Sequence, residues 1–339
     1  MIRARRLVRS VPWLESLYQS VRARWALDMP REFVIARFRG DRPWSLVSDE
    51  SLPAPILTAA HVGDVPAEYV ADPFLLVRRD AWQLFFEVLR ADTGRGVIAH
   101  ATSRDGRVWH YGGVVLAEPF HLSYPFVFEF EDEVYMIPES FGTRSVRLYR
   151  AIDYPHRWLH VEDLLQGEDC ADSTVFRHAG AWWMFTTTRS RFEGDEPVGA
   201  FDALRLYRSA TLVGPWKEHP QSPVIWRDPR VARMAGRVLE HDGRLVRFAQ
   251  DCSTVYGRQV YAFEVTQLTP DRYEEQQLTD GPVLGPGRVG WNAGGMHHVD
   301  AVPVAGEWFG VVDGWRLRPA MRLRRRLGRA LRALGGRGR

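Results

Sequence analysis

One pattern recurs five times along this chain and narrows the folds open to it. "ADPFLLVRRDAWQLFFEV" begins at Ala71, "SYPFVFEFEDEVYMIPES" at Ser123 and "ADSTVFRHAGAWWMFTTT" at Ala171. "AGRVLEHDGRLVRFAQDC" begins at Ala235 and "HHVDAVPVAGEWFGVVDG" at His297. Each is an apolar run, a polar turn and a second apolar or aromatic run, the signature of a strand hairpin. The second residue of each segment has a counterpart fifteen positions on. The pairs are Asp72/Glu87, Tyr124/Glu139, Asp172/Thr187, Gly236/Asp251 and His298/Asp313, so four of the five second members are acids. The segments start 52, 48, 64 and 62 residues apart. Self-similarity at such periods marks a repeat architecture.

A third feature follows four of the hairpins: an alternating strand, a turn and an aromatic. The aromatics are Trp109, Trp158, Trp216 and Tyr273. About four strands per repeat is the content of a propeller blade. The fifth hairpin has no such sequel, but "FVIARFRGDRPW" at Phe33–Trp44 has the missing form. The expectation is an all-β, five-bladed β-propeller over residues 31–315, its ring closed by the N-terminal strands. Closure removes the sheet edges that an open array would expose. Five unrelated hairpins in a sandwich is the alternative, and the constant fifteen-residue offset argues against it.

Charge divides the chain. Residues 316–339 carry ten arginines and no acid, and residues 1–25 carry six arginines and one glutamate, yet the net charge is only +3. The body is therefore acidic, which argues against a nucleic-acid partner, since that needs a basic face. Segments 1–30 and 316–339 read as basic amphipathic helices. Leu7, Val11, Leu14, Tyr18, Val21 and Trp25 share one face, and Met321, Leu323, Leu327, Leu331 and Leu334 share another. Such helices lie on anionic membrane surfaces. Two cysteines, Cys170 and Cys252, make no disulfide framework. No signal peptide or spanning segment is visible. The expected location is cytoplasmic, peripheral at the inner face of the membrane.

In a hairpin, the start of the first strand and the end of the second lie together. With each first strand innermost, the five pairs form a crown around one mouth of the channel. Carboxyls crowded there would repel one another and lose water, which raises some of their pKa values and creates acid–base pairs. Asp72 is the base candidate, with Glu139 and Asp172 as acid or sugar-binding groups. Asp251, Asp313, His298 and Arg237 are positioning candidates. His121, His297, Tyr124 and Trp291 complete the expected pocket. "HHVD" could ligate a metal through His298 and Asp300 but lacks further ligands at close spacing, so neither metal nor cofactor is expected.

"ADPF" at 71–74 and "ADSTVF" at 171–176 resemble motifs of the five-bladed glycoside hydrolase family 43, which implies a general-base role for Asp72. Phe126 stands where that family places a pKa-tuning Asp, and "MAGR" where its acid Glu would begin a strand. Glu139 or Asp251 would have to substitute. A longer series, including "HLSYPFVF", "YMIPES", "GPWKEHP", "QDC" and "GMHHVD", resembles the N-terminal domain of plant glucosamine inositolphosphorylceramide transferases and their stand-alone bacterial relatives. That resemblance implies a carbohydrate, sugar-nucleotide or lipid-linked sugar partner and work in bacterial surface polysaccharide or glycolipid assembly. The leading expectation is a glycosyl-transferring enzyme. A glycoside hydrolase with an altered carboxylate set and a non-catalytic glycan-binding propeller are the alternatives.

Overall fold

The computed structural model describes residues 31–51, 54–78, 81–190 and 201–318. They form five sheets in a ring. Blade 1 is β3 (Ala67–Arg78), β4 (Ala81–Arg90), β5 (Gly96–Ser103) and β6 (His110–Leu116) from the inside out. Blade 2 is β7 (Ser123–Phe130), β8 (Glu133–Glu139), β9 (Ser145–Asp153) and β10 (Arg157–Gln166). Blade 3 is β11 (Ala171–His178), β12 (Ala181–Arg189), β13 (Phe201–Ser209) and β14 (Lys217–Glu218). In blade 4 the inner strand is split into β15 (Arg233–Met234) and β16 (Leu239–His241), both paired with β17 (Arg244–Gln250), which is followed by β18 (Val260–Leu268) and β19 (Tyr273–Gln277). Blade 5 runs β20 (Val299–Val304), β21 (Glu307–Leu317), β1 (Arg31–Gly40) and β2 (Val47–Ser48). The N-terminal strands thus complete the last blade, and the five-bladed expectation holds.

The hairpins follow from local chemistry. Four inner turns pass through two residues with positive φ: Glu131–Asp132, Ala179–Gly180, Asp242–Gly243 and Ala305–Gly306. Paired left-handed residues match the twist of tight hairpins. Second strands such as "AWWMFTTT" are buried at every position because neighbouring blades cover both faces. The amphipathic segments expected at 1–30 and 316–339 lie outside the described residues, apart from residues 316–318. Phe33–Trp315 form one compact unit, while the two chain ends, Met1–Glu32 and Arg316–Arg339, group separately. Within those ends Arg316 Nε lies 2.8 Å from Glu32 Oε2.

Arg237 ties four blades beneath the channel mouth. It is carried between the two inner segments of blade 4. It bonds Asp300 of blade 5 at 2.9 Å, the Leu75 carbonyl of blade 1 at 3.1 Å and the Val127 carbonyl of blade 2 at 3.0 Å. Asp300 is fully buried and also accepts from Leu75 N at 2.8 Å. Removing one partner of a buried pair leaves an uncompensated charge. Arg237→Met is therefore expected to lower stability by about 3–5 kcal/mol, measured by urea unfolding.

Candidate active site

The crown is built by β-bulges. In blades 1 to 3 the pairing skips between Ala71 and Phe74, Ser123 and Phe126, and Ala171 and Thr174, so two residues oppose one. The first residue of each bulge is left-handed: Asp72 (φ 53), Tyr124 (φ 44) and Asp172 (φ 53). Such φ values strain a residue with a side chain, and bulges re-aim side chains beside functional sites. Here they redirect three polar residues at one end of the ring. Blade 4 has Gly236 (φ 141) at the equivalent place, where any Cβ would lie 1.8 Å from the Val299 carbonyl oxygen. Only glycine permits that approach between blades 4 and 5.

A chain of hydrogen bonds joins the redirected residues. Asp313 Oδ2 accepts from Asp72 N at 2.9 Å, and Asp72 Oδ2 accepts from Tyr124 N at 3.1 Å. The Tyr124 hydroxyl meets Thr174 Oγ1 at 3.1 Å, donates to Gly236 O at 3.0 Å and accepts from Gly236 N at 2.9 Å. Asp313 Oδ1 also pairs with His297 Nδ1 at 2.6 Å, which directs His297 Nε2 to Asp72 Oδ1, 3.5 Å away. Across the mouth, Arg233 Nε bonds Asp172 at 2.6 Å and its terminal nitrogen reaches Glu139 at 3.4 Å. Gln250 adds a bond to Asp172 at 3.2 Å. Arg233 lies 5.1 Å from the Tyr256 ring and 5.3 Å from that of Phe201, both partly exposed.

Asp72, Glu87, Glu139, Asp172 and Asp313 are all buried, and Arg233 and, when protonated, His297 are the cations paired with them among the described residues. Two cations do not neutralise five carboxyls. Burial, against the pull of His297 and with the push of Asp313 and Asp172, raises Asp72 to about 7. Burial and neighbouring carboxyls push Glu87 and Glu139 well above the ordinary range. Burial also works on Asp313, but the charge and hydrogen bond of His297 outweigh it and hold that carboxyl below the ordinary value. His297 is raised in turn because Asp313 and Asp72 outweigh its own loss of water.

The structure gathers Asp72, Tyr124, Glu139, Asp172, His297 and Asp313 of the expected set. His121 joins from the entry to blade 2, with Nε2 3.4 Å from Glu87 Oε1. His298 lies deeper, between Phe74 and Tyr124, and its Nε2 meets the Pro73 carbonyl at 3.0 Å. Burial lowers it to about 4. Arg237 and Asp300 bond each other below the mouth. Asp251 spends its oxygens on Ser253 and Gln259 in the loop after β17. Trp291 packs on Gly314, where a Cβ would fall 2.4 Å from its ring. Phe126 is core, 5.6 Å from Phe74 ring to ring. Glu87, Arg233, Gln250, Phe201 and Tyr256 were not among the expected site residues. Two of these had a signal: Glu87 as the partner of Asp72 in the repeat, and Arg233 as one of the arginines clustered about "RMAGR" at the start of blade 4, where an arginine could neutralise the acidic crown.

Asp72, His297 and Asp313 present ligand-type atoms within 4.8 Å of one another. Their bonding does not fit a metal. Asp313 Oδ1 accepts from His297 Nδ1 and N, and Oδ2 from Asp72 N, so both oxygens are already engaged.

A family model described as glucosamine inositolphosphorylceramide transferase 1, N-terminal, matches residues 41–315, nearly the whole ring. The chain belongs to this family. It is 39% identical over 269 residues to glucosamine inositolphosphorylceramide transferase 1 of Oryza sativa subsp. japonica, covering 78% of this chain and 36% of that protein. The Arabidopsis thaliana protein of the same name is 33% identical over 308 residues, covering 86% and 40%. This glucosamine inositolphosphorylceramide transferase N-terminal family member thus spans well under half the length of those plant relatives. Among solved structures, the β-1,2-mannobiose phosphorylase of Listeria innocua aligns with a TM-score of 0.55 at 13% identity, covering 82% of this chain and 96% of that one. At that identity the likeness speaks for the fold alone.

The position of Asp72 sets a pH dependence. The folded protein holds its proton to about pH 7, whereas the ordinary value is 3.8. Between these limits the native state binds more protons than the unfolded chain, so stability falls as pH rises and the penalty is complete above about 7. Asp72→Asn is expected to leave stability near its wild-type value at pH 4. At pH 8 it should add a few kcal/mol, at roughly 1.4 kcal/mol per pH unit of displacement. Urea unfolding across this range checks both the sign and the slope.

Proposed function

We propose that the ring binds a sugar at its crowned mouth and promotes transfer of a glycosyl unit in glycan or glycolipid assembly. The observation that carries this is Asp72: strained inward by its bulge, nearly buried, faced by the His297–Asp313 pair and titrating at about 7. A base is most effective when its pKa lies near the working pH. The Asp313–His297 bond orients the imidazole toward Asp72. Tyr256 and Phe201, partly exposed and packed on Arg233, add aromatic surface beside the carboxyls of the kind a sugar ring contacts. The plant relatives are named for a glucosamine and an inositolphosphorylceramide, which supports a sugar and a glycolipid as the substrate class. The same base would activate water if no acceptor hydroxyl were bound, which gives a glycosidase. Release of free sugar without an acceptor distinguishes the two.

The membrane expectation fits this reading. The ring's first and last residues, Phe33 and Trp315, have ring centroids 6.3 Å apart, and Phe33 is 4.9 Å from His297. A cytoplasmic-face membrane holding anionic lipid, met by the Arg-rich segments at 1–25 and 316–339, would supply a lipid-linked sugar as substrate.

Two outcomes are expected. Asp72→Asn reduces turnover on an identified glycan by about 10² to 10⁴ while glycan binding persists in calorimetry; full turnover in this variant refutes the assignment. Deleting residues 316–339 weakens sedimentation with anionic liposomes, and unchanged sedimentation excludes that segment as the anchor.

A further inference from the structure

Among the crown carboxyls Glu87 is bonded differently from the rest. It sits on β4, opposite Ala71 and beside Ile98, with 4% of its surface exposed. Asp172 and Glu139 share Arg233, Asp313 holds His297, and Asp72 faces His297. Among the described residues Glu87 has only His121. Gly96 N donates to His121 Nδ1 at 2.9 Å, which leaves the ring proton on Nε2 and the imidazole neutral. That Nε2 is 3.4 Å from Glu87 Oε1 and not aligned for a hydrogen bond. Oε1 is buried without a hydrogen-bond partner. The charges that act on it most strongly, Asp72, Glu139, Asp313 and Asp172, are all carboxyls. The head group is seated over Gly96, where any Cβ would fall 2.8 Å from Oε1 and 2.2 Å from the Leu122 carbonyl oxygen. A carboxyl so placed has no cation to sustain its charge, and leaving a buried acceptor unpaired is costly.

We propose that Glu87 is a neutral carboxylic acid of the site and its proton donor, working with Asp72 as acceptor. The proposal rests on the glycosyl-transfer reading above. As the glycosidic C–O bond breaks, the Glu87 proton passes to the departing oxygen. The attacking hydroxyl forms the new bond to the anomeric carbon and yields its proton to Asp72. Glu87 ends as a carboxylate and Asp72 as an acid; Glu87 then takes a proton from solvent and Asp72 releases one to it. The acid thus comes from blade 1, whereas blade 4 supplies Arg233 at the mouth.

Infrared spectroscopy of the full chain tests the protonation directly. At pH 7 the wild type is expected to show a carboxylic-acid C=O band that loses one carboxyl's intensity in Glu87→Gln. An unchanged band overturns the assignment, whatever the activity. A panel of alkyl and dinitrophenyl glycosides tests the role. On sugars that the wild type processes, Glu87→Gln should slow the alkyl glycosides about 10² to 10⁴-fold. It should leave the dinitrophenyl glycosides, whose leaving group needs no proton, close to wild type. Equal slowing of both classes makes Glu87 structural and overturns the proposal. No turnover by the wild type on any glycoside or acceptor, with the band lost in Glu87→Gln, would instead overturn the transfer reading and the donor role that rests on it.

Discussion

The carboxylate of Asp313 is the interaction on which the rest of the structure leans. Its two oxygens bond the backbone of Asp72 and the ring and backbone of His297, joining the last blade to the first across 241 residues of sequence. Asp72 then accepts from Tyr124 of blade 2, and the Tyr124 hydroxyl reaches Thr174 of blade 3 and Gly236 of blade 4. One belt of polar contacts therefore passes through all five blades at the mouth. Buried polar networks reward full satisfaction and punish any gap. The groups that close the ring are thus largely the groups that a glycosyl-transfer site would use.

This dual use has an energetic consequence. Asp72 and Asp172 are strained in φ and buried among like charges, and Tyr124 is strained beside them. Each feature costs stability, and the surrounding bonds offset it. Arg237, bonded to Asp300 and to two carbonyls below the mouth, is part of that offset. Replacing a strained, poorly neutralised group with a neutral one stabilises such a fold at the expense of activity.

The ring was legible in the sequence because strand pairing is local. The fifteen-residue offset reflects hairpins of constant length, and the Phe33–Trp44 strand could be assigned to blade 5 by what that blade lacked. Asp72, Tyr124, Glu139, Asp172 and Asp313 come together because they occupy matching positions in the repeat. The bulges were not legible. Nothing in "ADPF" or "SYPF" announces a left-handed first residue, since most residues avoid that conformation unless tertiary contacts impose it. Arg233, Gln250, Phe201 and Tyr256 lie outside the matching positions and reach the mouth only through the packing of blades 3 and 4. Trp291 and Asp251, by contrast, had sequence signals that the fold spends on a glycine contact and a loop turn.

The sequence by itself determined a closed five-bladed ring and a crown containing more acids than bases, because periodicity and composition are properties of the chain. Only the tertiary structure decided which acids meet a basic partner. Arg233 reaches Asp172 and Glu139, and His297 reaches Asp72, from other blades, while Glu87 meets a neutral imidazole and a buried wall. A carboxyl's protonation depends on its neighbours within a few ångströms and on lost water, and those neighbours lie up to 241 residues away along the chain.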